Sequence, residues 1–260
     1  MEKDTVVLME VEKDEKDEKD TVTNSTPVAG GGRTAMMLLA DNRFPSGGHA
    51  HSAGMEEAVA SGDVRGLDDV AAWAEGVLWT SGLTTAGLAA AACELAGRPT
   101  DTASTDAWSE LDAEADARTP SPVQRAVTRR LGRQLLRTAC RVWPSDVLDE
   151  LARRWPDGPH RPVVFGATTS VAGGSPSDAA IGEAYGAVAV PVVAALRLLG
   201  LDPVSTTSVL SRLAPAMEEV AAVATLAACG PPALLPARSA PIVDLCAQSH
   251  STREGALFAS

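Results

Sequence analysis

The chain has 260 residues, 45% of them hydrophobic, and a formal net charge of −12. A chain of this length buries roughly three quarters of its unfolded surface, so it needs no disulfide or structural metal to fold. The acidic balance speaks against a general nucleic-acid binder, which requires clustered excess Lys and Arg to neutralise phosphates.

The charge is uneven. Residues 1–26 hold nine acids and four lysines, and every basic side chain after Lys19 is an arginine. Residues 11–20 contain three Glu-Lys-Asp triplets. With no apolar face, such a segment cannot offset the entropy of ordering, and residues 1–33 read as a disordered acidic tail. The stretch Val6–Met9 is too short for the apolar region of a secretory leader.

The remainder, 34–260, reads as one all-helical domain of about ten helices. Alanine is abundant, aromatics are 3%, and long β-branched alternations are missing. His51, Gly54, Met55, Ala58 and Val59 have the spacing of one buried helical face, and Gly62 suits a C-terminal cap. A helix over Leu67–Trp79 carries Asp68 and Asp69 in its first turn, where the dipole favours anions. A separate small-residue helix follows over Thr85–Leu95. Ser121-Pro122, Ser145 and Ser175-Pro176 are N-cap signals, and Pro144 stops the helix begun at Pro122. Helices from Pro176 to Gly200 and from Pro203 onward contain Pro191 and Pro215, where kinks are expected. A last helix spans about Pro241–His250. Val163-Val164-Phe165 is the one strand-like triplet.

The longest apolar run, residues 184–196, ends at Arg197 and falls short of the about 20 residues that cross a bilayer. The expectation is a soluble, cytoplasmic protein with no membrane or nucleic-acid partner. Cys93, Cys140, Cys229 and Cys246 are too scattered for a zinc module or a disulfide scaffold.

Two constellations stand out. In Phe44-Pro45-Ser46-Gly47-Gly48-His49-Ala50-His51-Ser52, two histidines beside two glycines offer a borderline metal two ligands, but no carboxylate or cysteine lies at ligand spacing. The alternative is a Gly-Gly turn with His51 hydrogen-bonded at a helix start. The second is an arginine stripe: Arg125, Arg129, Arg133, Arg137 and Arg141 recur every four residues beside Arg130. Like charges at that spacing repel on a helix, so the stripe calls for an acidic neighbour. That neighbour is the helix bearing Glu110, Asp112, Glu114 and Asp116, the acidic tail, or another protein. No Gly-x-Ser-x-Gly, His-Glu-x-x-His or Gly-x-Gly-x-x-Gly motif occurs, and no cofactor or metal site is expected.

Residues 44–56, ending Ser52-Ala53-Gly54-Met55-Glu56, resemble the opening of the urease accessory protein UreF family. Arg130–Leu136, His160 through Gly166, Ala184-Tyr185, Leu213-x-Pro215, and Pro241 through His250 to Ser260 are similar to later segments of that family, in the same order. His49 departs from the usual aromatic, and Ala256 and Ala259 stand where the family's tail commonly has arginines.

The resemblance implies a non-catalytic, all-α accessory protein that dimerises and bridges the UreD/UreH scaffold to the GTPase UreG. In such an assembly it regulates GTP-dependent insertion of nickel into apo-urease. It points to partner-binding or dimer-forming residues in two blocks. Pro45, Gly47, Gly48, His51, Ser52, Gly54 and Glu56 form the first. His250, Leu257, Phe258 and Ser260 form the second. Tyr185 and the stripe residues Arg129, Arg130 and Arg133 lie between them. The competing reading is a direct nickel-binding metallochaperone using His49 and His51.

Overall fold

The computed structural model describes residues 32–41, 44–45, 50–98, 105–252 and 257–258. The proposed acidic tail lies almost wholly outside them; Gly32 and Arg33 already belong to the first helix. Among the described residues there are eleven α-helices and no strand. They are α1 (Gly32–Ala40), α2 (Met55–Ser61), α3 (Leu67–Val77), α4 (Leu83–Ala96), α5 (Thr105–Ala117) and α6 (Pro122–Val142). The chain continues with α7 (Asp146–Arg154), α8 (Arg161–Val171), α9 (Pro176–Leu199), α10 (Pro203–Ala228) and α11 (Pro241–His250).

Local chemistry sets most of these boundaries. The hydroxyls of Ser121 and Ser145 accept from the N–H groups of Gln124 and Leu148. Ser175 and Asp178 form a reciprocal capping box, and Asp202 caps α10 by accepting from the Ser205 N–H at 2.8 Å. Each cap satisfies an orphan donor of a first turn. Gly62 and Gly200 close α2 and α9 in the left-handed conformation (φ 82° and 62°). Helices α9 and α10 run unbroken through Pro191 and Pro215.

The strand-like triplet Val163-Val164-Phe165, too short to carry a sheet, lies in α8, buried on every side; continuous burial looks alike in a strand and a core helix. Two expectations are corrected. The expected break after Trp79 is absent, because a π-helical turn, Leu78–Gly82, carries α3 directly into α4. His51 and Gly54 precede α2 rather than forming its face, so the buried helical positions are Met55, Glu56 and Ala58.

Helix α4 is the axle. Its Leu83, Ala86 and Ala90 join a core built with α2, α3, α9 and α10 around Met55, Val188, Leu213 and Val220. Its Leu88, Ala89, Ala92 and Cys93 join a second core with α5, α6, α7 and α8 around Leu111, Leu135, Leu151 and Val164. Only small residues permit so close an approach: a Cβ on Gly166 of α8 would sit 2.0 Å from the Ala89 carbonyl oxygen. Two helical runs, Leu67–Ala96 and Pro176–Leu199, are long and apolar enough to cross a bilayer. Most of each apolar window (67% and 56%) is buried against the rest of the chain, as core helices are.

Candidate functional site

The opening motif reaches α2 through a left-handed turn. Ala53 (φ 52°) and Gly54 (φ 82°) are both in the αL region, which a residue with a Cβ adopts at a cost. A Cβ on Gly54 would also lie 3.2 Å from Cys246 Cβ and 3.4 Å from Trp73 Cζ2, so glycine fits here for backbone and for space. The buried Ser52 closes the turn: its Oγ accepts from the Glu56 N–H at 3.3 Å and its carbonyl accepts from the Met55 N–H.

Glu56 joins this turn to the other end of the chain. Its carboxylate, 8% exposed, accepts from the backbone N–H groups of Leu257 (2.7 Å) and Phe258 (3.0 Å). Phe258 is buried against the first core. His250, the last residue of α11, is buried and places Nε2 3.2 Å from the Phe258 carbonyl oxygen. A carbonyl only accepts, so Nε2 carries the proton, and Nδ1 faces Glu56 Oε2 at 3.8 Å. Ser249 donates its hydroxyl to Glu57 at 2.7 Å. The two blocks of motif residues, some 200 positions apart, thus make one latch, inner residues buried and outer ones exposed. Leu257 stands out at its edge (68% exposed), and Ile242 and Leu245 of α11 are also exposed.

Beside the latch runs a groove of about 280 Å³, lined by residues including His51, Gly54, Val243, Thr128 and Glu183. Glu183 of α9 is buried, and Arg161 Nη1 reaches its Oε1 at 2.5 Å. Burial pushes the Glu183 carboxyl upward and Arg161 only partly counters it. Arg161 also lies over the Phe165 ring, 5.3 Å from its centroid. Tyr185, two residues beyond Glu183, is exposed.

The arginine stripe divides. Arg129 is turned inward: its Nη2 donates to Asp112 Oδ2 at 2.9 Å and to Asp116 Oδ2 at 2.6 Å, and its Nη1 to the Gly158 carbonyl. The buried His160 completes this clamp. Its ring Nε2 lies 2.7 Å from Asp116 Oδ1, and its backbone N–H donates to Asp112 Oδ1. Burial holds the imidazole below its ordinary pKa against the pull of the carboxylates. Burial also pushes Asp116 upward, but the hydrogen bonds from His160 and Arg129 outweigh it and leave the carboxyl below its usual range. The helix bearing Asp112 and Asp116 is therefore Arg129's acidic neighbour. Arg130, Arg133, Arg137 and Arg141 instead lie exposed on α6.

Of the other residues expected at the site, Pro45 is exposed and accepts at its carbonyl from Thr138 Oγ1 of α6 at 2.9 Å. His51 is half-buried and engaged with a partner. Gly47, Gly48, His49 and Ser260 lie outside the described residues. Among the described residues no three of His, Cys, Asp and Glu gather where they would hold a metal. The four cysteines are unpaired, with Cys93 pushed up to about 12 by burial. Glu183 is marked by no motif, and His160 and Arg161 only by the His160–Gly166 segment, whereas Asp112 and Asp116 belong to the acidic helix expected beside the stripe.

Comparisons with known proteins point to the same family. A family model described as UreF matches residues 64–214. A protein named urease accessory protein UreF, from Mycobacterium sp. strain JLS, is 43% identical over 227 residues, covering 87% of this chain and 98% of that protein. A protein of the same name from Mycolicibacterium vanbaalenii is 40% identical over 225 residues, 86% of this chain and 97% of the relative. Its namesake from Mycobacterium tuberculosis is 39% identical over 227 residues, with the same coverage.

Proposed function

The chain belongs to the UreF family of urease accessory proteins, and from that premise we propose that it acts as a non-catalytic adaptor in urease maturation. In this reading it docks on a UreD/UreH scaffold, holds and regulates the GTPase UreG, and so assists GTP-dependent nickel insertion into apo-urease. The helical body acts as one docking unit, works in the cytoplasm and pairs with a second copy.

The observation that carries this reading is the Glu56 latch. It fastens the chain's C-terminal segment to the opening motif through buried, charge-assisted hydrogen bonds, which are the stronger kind. Leu257 is exposed at the latch, and Ile242 and Leu245, three residues apart on α11, are exposed as well. An apolar centre with a polar rim is the anatomy of a docking surface. Tyr185, Arg130 and Arg133 supply further exposed aromatic and cationic side chains, residue types enriched at binding hot spots.

Co-purification with UreD and UreG, with and without guanine nucleotide, tests the proposal. Retention of both partners is the expected result. A folded protein that retains neither under any nucleotide condition overturns it.

A further inference from the structure

Four arginines on the outer face of α6 stand without an ion-paired counter-charge. Arg130, Arg133, Arg137 and Arg141 are exposed, and among the described residues none has an ion-pair partner. Of the nearby acids, Asp112 and Asp116 hold Arg129 and Glu150 of α7 pairs with Arg153, while Asp149, close to Cys140, and Asp157, next to the Gly158 that packs on Arg133, form no ion pair with any of the four. The four lie on one side of the helix over about 16 Å, at 1.5 Å per residue. Like charges one turn apart repel, so this face gains from any anionic segment that covers it.

We propose that the segment Glu10–Asp20 of the same chain docks on this face. Its charge complements the stripe: it carries seven acids against three lysines, in a chain whose only other lysine is Lys3. Its tether is favourably placed. Helix α1 begins at Gly32, and just beyond its end the Phe44 ring stacks on Trp143 at 5.9 Å while Pro45 meets Thr138. The chain therefore passes the C-terminal half of α6 soon after α1. Residues 21–31 span up to about 36 Å when extended, and α1 itself is about 13 Å long, so the repeat reaches the stripe. A short tether raises the local concentration of the segment to the millimolar range, enough to populate contacts that are individually weak. An acidic partner that used this face would have to displace the segment; that consequence, unlike the contact itself, rests on the adaptor reading.

The experiment uses the full chain without partners, so its outcome is independent of UreD and UreG. A paramagnetic label is attached at Thr21→Cys in a background with Cys140→Ser and Cys229→Ser, leaving every charge of the repeat intact. The expected result is broadening of the backbone amide signals of residues 130–141 at low salt. It should fall at least severalfold in 0.5 M salt, where the Debye length is only a few ångströms. It should also fall in Arg133→Glu/Arg137→Glu, whose exposed positions leave the far-ultraviolet circular dichroism unchanged. Three results overturn the proposal. One is no broadening on α6. Another is broadening that persists after the charge reversals. The last is broadening that vanishes when labelled chain is diluted into unlabelled chain, which would assign the contact to a second copy.

Discussion

Arg129 and Arg133 lie one turn apart on α6 and meet opposite environments. Arg129 enters a clamp closed by Asp112, Asp116 and His160, whereas Arg133 faces water. The contrast shows that a charged stripe on a helix is not one surface. Its inner edge holds α5 and the start of α8 against α6, and its outer edge remains for an acidic partner. A substitution on one edge should therefore destabilise the fold, and on the other only weaken binding.

The sharpest test of that division is Arg129→Ala. It leaves Asp112, 5% exposed on its side chain, without its cation, and breaking one member of a buried pair costs about 3 kcal/mol or more. Chemical denaturation should show that loss with helical content retained in the absence of denaturant. A change within about 0.5 kcal/mol, the ordinary range for surface substitutions, would move Arg129 to the outer edge with its neighbours.

A second break goes through the helix packing that carries the clamp. Gly166→Ala forces a methyl group against the Ala89 backbone, and overpacking of this kind costs about 1–3 kcal/mol. Gly132→Ala should behave alike, since a Cβ there would lie 2.0 Å from the Pro159 carbonyl oxygen, beside His160 itself. Thermal unfolding midpoints check both.

These glycines also mark how far the sequence could be read. Caps are local, and Ser121, Ser145 and Ser175 announced their helices, as Pro241 and His250 bounded the last one. Partnership between faces is not local. Nothing in the spacing of Arg129 and Arg133 separates them, because both fit the same four-residue repeat. Val163–Phe165 looked like a strand because α8 is buried on all sides, which erases periodicity. The motif blocks at 51–56 and 250–258 were legible separately, whereas their meeting through Glu56 belongs to tertiary structure alone.

The latch offers a local counterpart to the clamp. Glu56→Gln removes the charge that receives the Leu257 and Phe258 N–H groups, and hydrogen bonds to charged groups contribute about 1.5–3 kcal/mol. The loss should appear as faster proteolysis after His250 and faster amide exchange at Phe258, with a smaller change in global stability. Weakened retention of the scaffold or the GTPase by this variant would join the latch to the proposed function. Unchanged exchange at Phe258 would mean that packing of its ring, not the carboxylate, holds the segment.

Acid should act on the clamp. His160 and Asp116 both titrate below their ordinary values in the folded protein, so the unfolded chain binds more protons. Their contribution to stability is complete above the unfolded histidine value of about 6.5 and declines as pH falls toward the folded values. Buried Glu183, raised above its ordinary value, works the other way, favouring the fold below the unfolded carboxylate range and losing that benefit as pH rises. Denaturation midpoints between pH 7.5 and 5.5 should therefore decline, and His160→Gln should flatten that slope. A wild-type midpoint that rises on acidification would mean that Glu183 outweighs the clamp.

The smallest effect belongs to the outer edge. Exposed ion pairs contribute about 0.2–1 kcal/mol each, so Arg130→Glu/Arg133→Glu should leave the unfolding midpoint nearly unchanged. Affinity for an acidic partner should fall up to about tenfold, since 1.4 kcal/mol is one decade. The loss should be largest at low ionic strength, where the Debye length grows from about 8 Å at 0.15 M to about 30 Å at 0.01 M. The association rate should carry most of it, as rim charges steer encounter more than they hold the complex. Scaffold and GTPase affinities measured at two salt concentrations separate the outcomes. A salt-independent loss would point to direct side-chain packing at the stripe. Equal affinity for both proteins, with the fold intact, would leave the outer arginines to the chain's own acidic segment.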